Sequence, residues 1–407
     1  MRKYWAYRVV EALANMMPLA VAYALAIAAV HVMLLLSPGR FVGLSSNLTH
    51  VVGDLPPRRL RALVRANARN LGRSWVDVLR MSRPSSCARR LDVEGLDHLD
   101  EALAGGRGVV MVASHLGPWD AGLVAFNAGT GTVAVLAEVV HPRRLFDHLR
   151  RGRARLGVSV IPIDVAAMRA ADADVARRIA AGAMRQVFGV LRGNGTVAIA
   201  IDRDLTGAGV PLQFFGEPTP IPLGVVDIAI RCNSALVPAW SVRHGGRLCL
   251  SAMPQIPYDA TAPREAEVQR VARTVLEAFE LVIKKNADQW HVLDPIWPVR
   301  ALVRTRLSRL RHAPLLIALF CAALTAAGMS GWGLGLTSFT TSPDWWIRPA
   351  VGSGLAAMAL LALPRAVLWA RANGIRFLAA VGRAAMTLTT AALVTGLSGV
   401  LVGALRH

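Results

Sequence analysis

Between residues 91 and 298 the chain alternates short apolar runs with longer helical stretches, and few architectures accept that order. GVVMVAS (108–114), TVAVLAE (132–138), VSVIPI (158–163), TVAIAID (196–202) and ALVPAWSV (235–242) have strand length and little polar alternation. Runs of this kind read as strands covered on both faces. Residues 170–192 and 263–285 are long enough for helices. The expected fold is α/β: a mixed, mainly parallel sheet flanked by helices. In such sheets functional groups collect just beyond the carboxyl ends of the strands. Two predicted strands end in polar clusters, one at Ser114-His115 and one at Asp202-Arg203-Asp204.

Outside this block the chain is apolar and basic. Hydrophobic residues make up 54%, the formal charge is +20, and the mean hydropathy is +0.42. That combination suggests a membrane protein with a cationic surface facing anionic headgroups. Nucleic acid is not an expected partner, because no zinc spacing, RNP motif or basic-zipper pattern is present. Residues 18–36 carry no formal charge and are nearly long enough to span a bilayer. The run is long for a cleaved signal, and no convincing small-x-small site follows. Arg2, Lys3 and Arg8 precede it and Arg40 follows, so orientation stays open between a span and a helix lying in the interface.

Arg58, Arg61, Arg65, Arg69 and Arg73 recur at three or four and predict a basic amphipathic helix, membrane-apposed or simply solvated. After Trp297 come a basic stretch (300–312) and three apolar runs, at about 313–336, 349–363 and 385–405. Basic residues at 300–312 and 365–383 place those loops, and the α/β block, in the cytoplasm at the cell membrane. The expected organisation is a membrane-associated helix at 1–40, a cytoplasmic α/β domain at 41–298, and a basic linker with about three transmembrane helices at 299–407. Cys87, Cys232, Cys249 and Cys321 form no CxxC pair, so neither a metal cage nor a disulfide framework is expected.

The stretch VASHLGPWDAG holds the sharpest chemistry. His115 and Asp120 lie five residues apart, a spacing that fits one face of neither a helix nor a strand. If the strand ends near Ser114 and a helix starts near Pro118, Asp120 falls in the first helical turn, where the dipole favours a carboxylate. It can then accept from the imidazole N–H, leaving the other nitrogen as a base for an incoming hydroxyl. No Gly-x-Ser-x-Gly elbow is present, so the nucleophile is expected to arrive with a substrate. Spacing alone fits a purely structural histidine as well.

SHLGPWDAG resembles the His-x4-Asp motif of glycerolipid and lipid A acyltransferases. Its Gly and Trp setting is most similar to late lipid A acyltransferases and actinobacterial phosphatidylinositol mannoside acyltransferases. LAEVVHPRRLFDHL, RARLGV, AIDRDLTGAGVPLQFFGEPTPIPLG and DQWHVLDPIWP extend the resemblance over about residues 7–298.

The resemblance implies a glycerolipid acyltransferase-like fold that moves a long-chain acyl group from acyl-CoA to a sugar hydroxyl of a membrane glycolipid, most closely a phosphatidylinositol mannoside. Acyl-CoA would be a co-substrate; no cofactor or metal is implied, since the thioester is already activated. His115 would be the general base, with Asp120 orienting it. Asp202 stands where characterised relatives have a glutamate that helps position the sugar. Arg153 matches an arginine near the acyl donor, and Glu138 a strand-end acid. Ala208 and Arg231 match positions near the acyl-CoA, although other side chains are expected there.

The alternatives are a lysophospholipid or other glycolipid acceptor, or a membrane scaffold that has lost the chemistry. Plainer readings also stand for single residues. Asp202 and Asp204 read as strand-end turn residues, Phe214-Phe215 as core or groove lining, and Trp290 and His291 as packing.

Overall fold

The computed structural model describes residues 2–80, 91–118, 120, 122, 132–204 and 206–299. The chain divides into two units, Met1–Arg300 and Ala301–His407. The three C-terminal apolar runs, and the basic stretches that set their expected orientation, lie outside the described residues.

The centre of the first unit is a seven-stranded sheet of order β1-β9-β8-β2-β5-β3-β4. Its strands are β1 (Leu91–Glu94), β2 (Val109–Ala113), β3 (Val133–Glu138), β4 (Val158–Ile163), β5 (Thr196–Ala200), β8 (Ala235–His244) and β9 (Arg247–Ala252). Strands β8, β2, β5, β3 and β4 run parallel. β9 returns antiparallel to β8, and β1 pairs parallel with β9. The five apolar runs therefore form the five parallel strands. A separate hairpin joins β6 (Val210–Phe214) to β7 (Glu217–Ile221).

Alternation is missing from these strands because both sheet faces are covered. Val110, Val112, Ala134 and Val197 face one core, closed by α8 (Ala173–Arg192), α9 (Gly224–Arg231) and α10 (Arg264–Lys285). On α10 a stripe of Val268, Val271, Ala272, Val275, Leu276 and Phe279 is buried at helical spacing. Val109, Met111, Val133 and Ala198 face the other core, with Leu99 and Ala102 of α5 (Leu96–Ala104) and Phe146 of α6 (Arg143–Ala154). A short α7 (Val165–Ala170) precedes α8.

Four helices precede the sheet: α1 (Arg2–Met16), α2 (Leu19–Leu36), α3 (Pro38–Val52) and α4 (Pro57–Leu79). α2 is long and apolar enough to cross a membrane by length and composition. It buries Ala22, Val30 and Leu34 and leaves Leu25, Val32, Leu35 and Leu36 exposed. α2 packs on α4 at Gly72, where a Cβ would stand 2.9 Å from the backbone of Ile27. Only glycine admits that approach. Arg58, Arg61, Arg65 and Arg69 of α4 are exposed, while Val64, Asn67, Ala68 and Leu71 are buried.

A buried ion pair ties α4 and α2 to the sheet. Asp77 accepts from Arg243 of β8 and, at 2.7 Å, from the Tyr23 hydroxyl. The two buried charges satisfy one another, with a half-buried hydroxyl as third partner, the condition under which an interior charge pair is tolerated.

Candidate active site

β2 and β5 lie side by side, with Ala113 paired to Ala200. Two residues past each member of that pair are His115 and Asp202. The His115 Nδ1–H donates to Asp202 Oδ1 at 2.7 Å, and the His115 backbone N–H donates to Oδ2 at 2.8 Å. The Trp290 indole N–H donates to the same Oδ2 at 2.8 Å. Asp202 is 1% exposed. Burial pushes its carboxyl upward, but the charge of His115 and the hydrogen bonds from His115 and Trp290 outweigh it and hold the group below the usual carboxylate range. With Nδ1 occupied, Nε2 is the imidazole nitrogen left for a substrate.

This corrects the expected partnership of His115 with Asp120. Asp120 instead accepts from Arg153 of α6, at 2.8 Å from Nε and 3.3 Å from Nη2. The register explains the exchange. Parallel pairing of β2 with β5 brings Asp202 beside His115, although 87 residues separate them.

The loop bearing His115 is fixed by backbone contacts. Gly117 has φ +63, and a Cβ there would stand 2.0 Å from the Ser241 carbonyl oxygen. Gly117 N–H donates to Gln289 O at 2.8 Å, and His291 N–H to His115 O at 2.9 Å. Leu116 and Trp290 form an antiparallel bridge between these bonds. Residues 289–291 thus lie as a strap along the loop. α4 holds the strap from behind, as Asn67 Nδ2 donates to the Trp290 carbonyl at 2.8 Å.

His291 itself is mostly buried. Burial, with the positive charge of His115 and Arg243 nearby, lowers it to about 3. It is therefore neutral near neutrality, and its Nδ1 meets Asn67 Oδ1 at 3.3 Å.

A cavity of about 400 Å³ opens beside His115. Its polar lining comes from the carboxyl ends of strands and nearby loops and includes Ser114, His115, Glu138, Arg153, Arg203 and Asp204, with Ser241 contributed by β8. Its apolar lining comes from the sheet face and its cover, including Met111, Val135, Phe146, Ala198, Ala239 and Leu250. The Ser114 and Ser241 hydroxyls are buried and have no hydrogen-bond partner among the described residues. Asp204 receives the backbone N–H groups of Thr206, Gly207 and Gly209; burial opposes them, and the carboxyl is nonetheless held low.

The cavity therefore gathers His115, Glu138 and Arg153, with Asp202 behind the first and Asp120 behind the last. Ala208 and Arg231 are not among its lining residues. Ala208 is exposed in the loop capped by Asp204, and Arg231 ends α9 in an ion pair with Asp227 at 2.8 Å. Trp290 does more than the packing its sequence setting suggests. It is fully buried among Phe214, Phe215 and Trp297, but its indole N–H also belongs to the His115 pair. Among the described residues no group of three His, Cys, Asp or Glu is arranged to hold a metal.

The bacterial lipid A biosynthesis acyltransferase family matches this chain over residues 1–298. The chain belongs to that family. Acyl transfer on lipid-type substrates is the activity class this carries. A phosphatidylinositol mannoside acyltransferase of Mycobacterium tuberculosis is 31% identical over 276 residues, covering 66% of this chain and 80% of the relative. One from Mycolicibacterium smegmatis is 28% identical over 260 residues, covering 62% and 78%. The resemblance carried by the sequence motifs is thus shown.

Proposed function

We propose that the protein is an acyl-CoA-dependent O-acyltransferase that places a long-chain acyl group on a sugar hydroxyl of a phosphatidylinositol mannoside. One observation carries this: an imidazole with one nitrogen held by a buried carboxylate lines a cavity with an apolar floor. The printed function of the mycobacterial relatives supports the choice of acceptor.

In this mechanism the acceptor hydroxyl approaches His115 Nε2, which takes its proton as the oxygen attacks the thioester carbonyl. Asp202 keeps the imidazole in the required tautomer and stabilises the imidazolium. The C–O bond forms, the C–S bond breaks, and the proton passes to the departing CoA thiolate. The Ser114 and Ser241 hydroxyls, which have no partner among the described residues, would serve as donors to the thioester oxygen as it becomes negative. The apolar lining would take the acyl chain. Arg153, Glu138 and the Arg153–Asp120 pair would contact polar parts of donor or acceptor. Ala208 and Arg231, which the resemblance puts near the acyl-CoA, lie outside the cavity lining and are given no step here.

The exposed apolar side of α2 and the arginine row of α4 would hold the domain on an anionic membrane. The basic stretches at 300–312 and 365–383 support a cytoplasmic active site.

The test measures thiol release from palmitoyl-CoA by the full chain in detergent, with phosphatidylinositol mannoside or with lysophospholipid. Release that needs both the mannoside and His115 is expected. Release with lysophospholipid alone would replace the acceptor. Absence of any His115-dependent release would overturn the proposal.

A further inference from the structure

We infer that Trp290 is a positioning residue of the transfer site, its indole N–H locking the Asp202 carboxylate in the orientation that holds His115. This rests on the function proposed above.

Among the described residues Asp202 receives three hydrogen bonds, and two of them come from His115 itself. A carboxylate turns about its last bond with little preference between orientations. The third donor is the only one of the three that does not move with His115. It belongs to a side chain with little freedom. Trp290 is 0% exposed. Its ring packs against Phe214, Phe215 and Trp297 at centroid distances of 6.2 to 6.3 Å. Its backbone is bridged to Leu116 and its carbonyl is held by Asn67. The strap therefore fixes the His115 loop by its backbone and the His115 partner by its indole.

A buried indole N–H needs an acceptor, so packing alone would account for some partner. The neighbouring Trp297 shows what that plain case looks like. It is 2% exposed in the same aromatic cluster, and its indole N–H donates at 2.8 Å to Thr219 Oγ1, which does not touch the His115 pair. Trp297 is thus an internal control for the loss of ring volume and of one buried hydrogen bond.

The experiment places benzothienylalanine at position 290 by codon suppression. Sulfur replaces the N–H and the bicyclic ring is kept. Trp290→Phe and Trp297→Phe accompany it. All are compared in the full chain by steady-state transfer from palmitoyl-CoA and by the His115 Nδ1–H proton resonance in histidine-labelled protein.

Both position-290 variants are expected to lose about tenfold or more in kcat with KM little changed, the scale of one hydrogen bond to a charged group. Their Nδ1–H resonance should move or broaden. Trp297→Phe should lose comparable thermal stability while keeping kcat and the resonance. An unchanged resonance in the benzothienylalanine protein would overturn the inference whatever the activity. A changed resonance in a protein whose transfer does not depend on His115 would instead overturn the proposed function and leave the positioning role standing.

Discussion

His115 and Asp202 each lie two residues beyond a strand-paired alanine, and their side chains meet at 2.7 Å where β2 and β5 end. Asp202→Asn keeps the shape and removes the charge. The amide would turn its N–H groups either toward the His115 and Trp290 N–H donors, which is a clash, or toward Nδ1, which accepts only in the tautomer that protonates Nε2 and removes the base. Transfer should fall by about a hundredfold to ten-thousandfold, the range of general-base assistance. His115→Ala should fall as far, and the double variant little further, because the two act as a unit. Additive losses in kcat would show that they do not.

Asp120 and Arg153 form a separate unit. Their side chains are 6% and 15% exposed, so the pair is only weakly screened by water. Removing either partner leaves a charge without it in a largely buried place. In a double-mutant cycle of Asp120→Ala and Arg153→Ala, a coupling of about 1–3 kcal/mol in unfolding free energy is expected. Coupling indistinguishable from zero would mean that the pair does not hold α6 to the helical segment after His115. Asp120→Asn should leave the His115 Nδ1–H resonance in place, unlike Asp202→Asn.

The parallel strands were legible because burial on both faces leaves an unbroken apolar run, as in Val109–Ala113. β1 and β9 were not, since Asp92, Glu94 and Arg247 interrupt short segments at the sheet's end. The β6–β7 hairpin carries Pro211, Pro218 and Pro220, which read as loop and are tolerated because the two-stranded ribbon has open edges. His115 and Asp120 stood out in the sequence, but their partners did not. Partnership depends on β5 inserting between β2 and β3, and strand order is not written in local periodicity. Trp290 was hidden for the same reason, since an indole in an apolar segment gives no sign of what its N–H meets.

Ser114 and Ser241 offer a test in which stability and activity move apart. Each is 3% exposed, lines the cavity, and carries a hydroxyl with no partner among the described residues. A buried unsatisfied hydroxyl costs stability, so Ser→Ala at either site should leave unfolding free energy unchanged or raise it. If the hydroxyl meets the developing oxyanion, the same change should lower kcat by roughly a hundredfold. A variant that is both as stable and as active as wild type would remove that serine from the mechanism.

His291 gives the chain a pH dependence that can be isolated. Unfolded, it takes up a proton near the ordinary 6.5; folded, burial and the charges of His115 and Arg243 delay this to about 3. Between those values the unfolded chain binds more protons, so stability falls as pH drops, by up to about 1.4 kcal/mol per unit from this one group. The loss is absent above the unfolded value and complete below the folded one. Asp202, held low, contributes in the same direction only at more acid pH, where carboxylates titrate. Chemical denaturation between about pH 7 and about pH 5 therefore reads mainly histidines. His291→Phe should lower stability near about pH 7, because Asn67 Oδ1 loses its partner. It should also flatten the slope across this window relative to wild type. Parallel slopes in the two proteins would mean that His291 is not held neutral in the folded state.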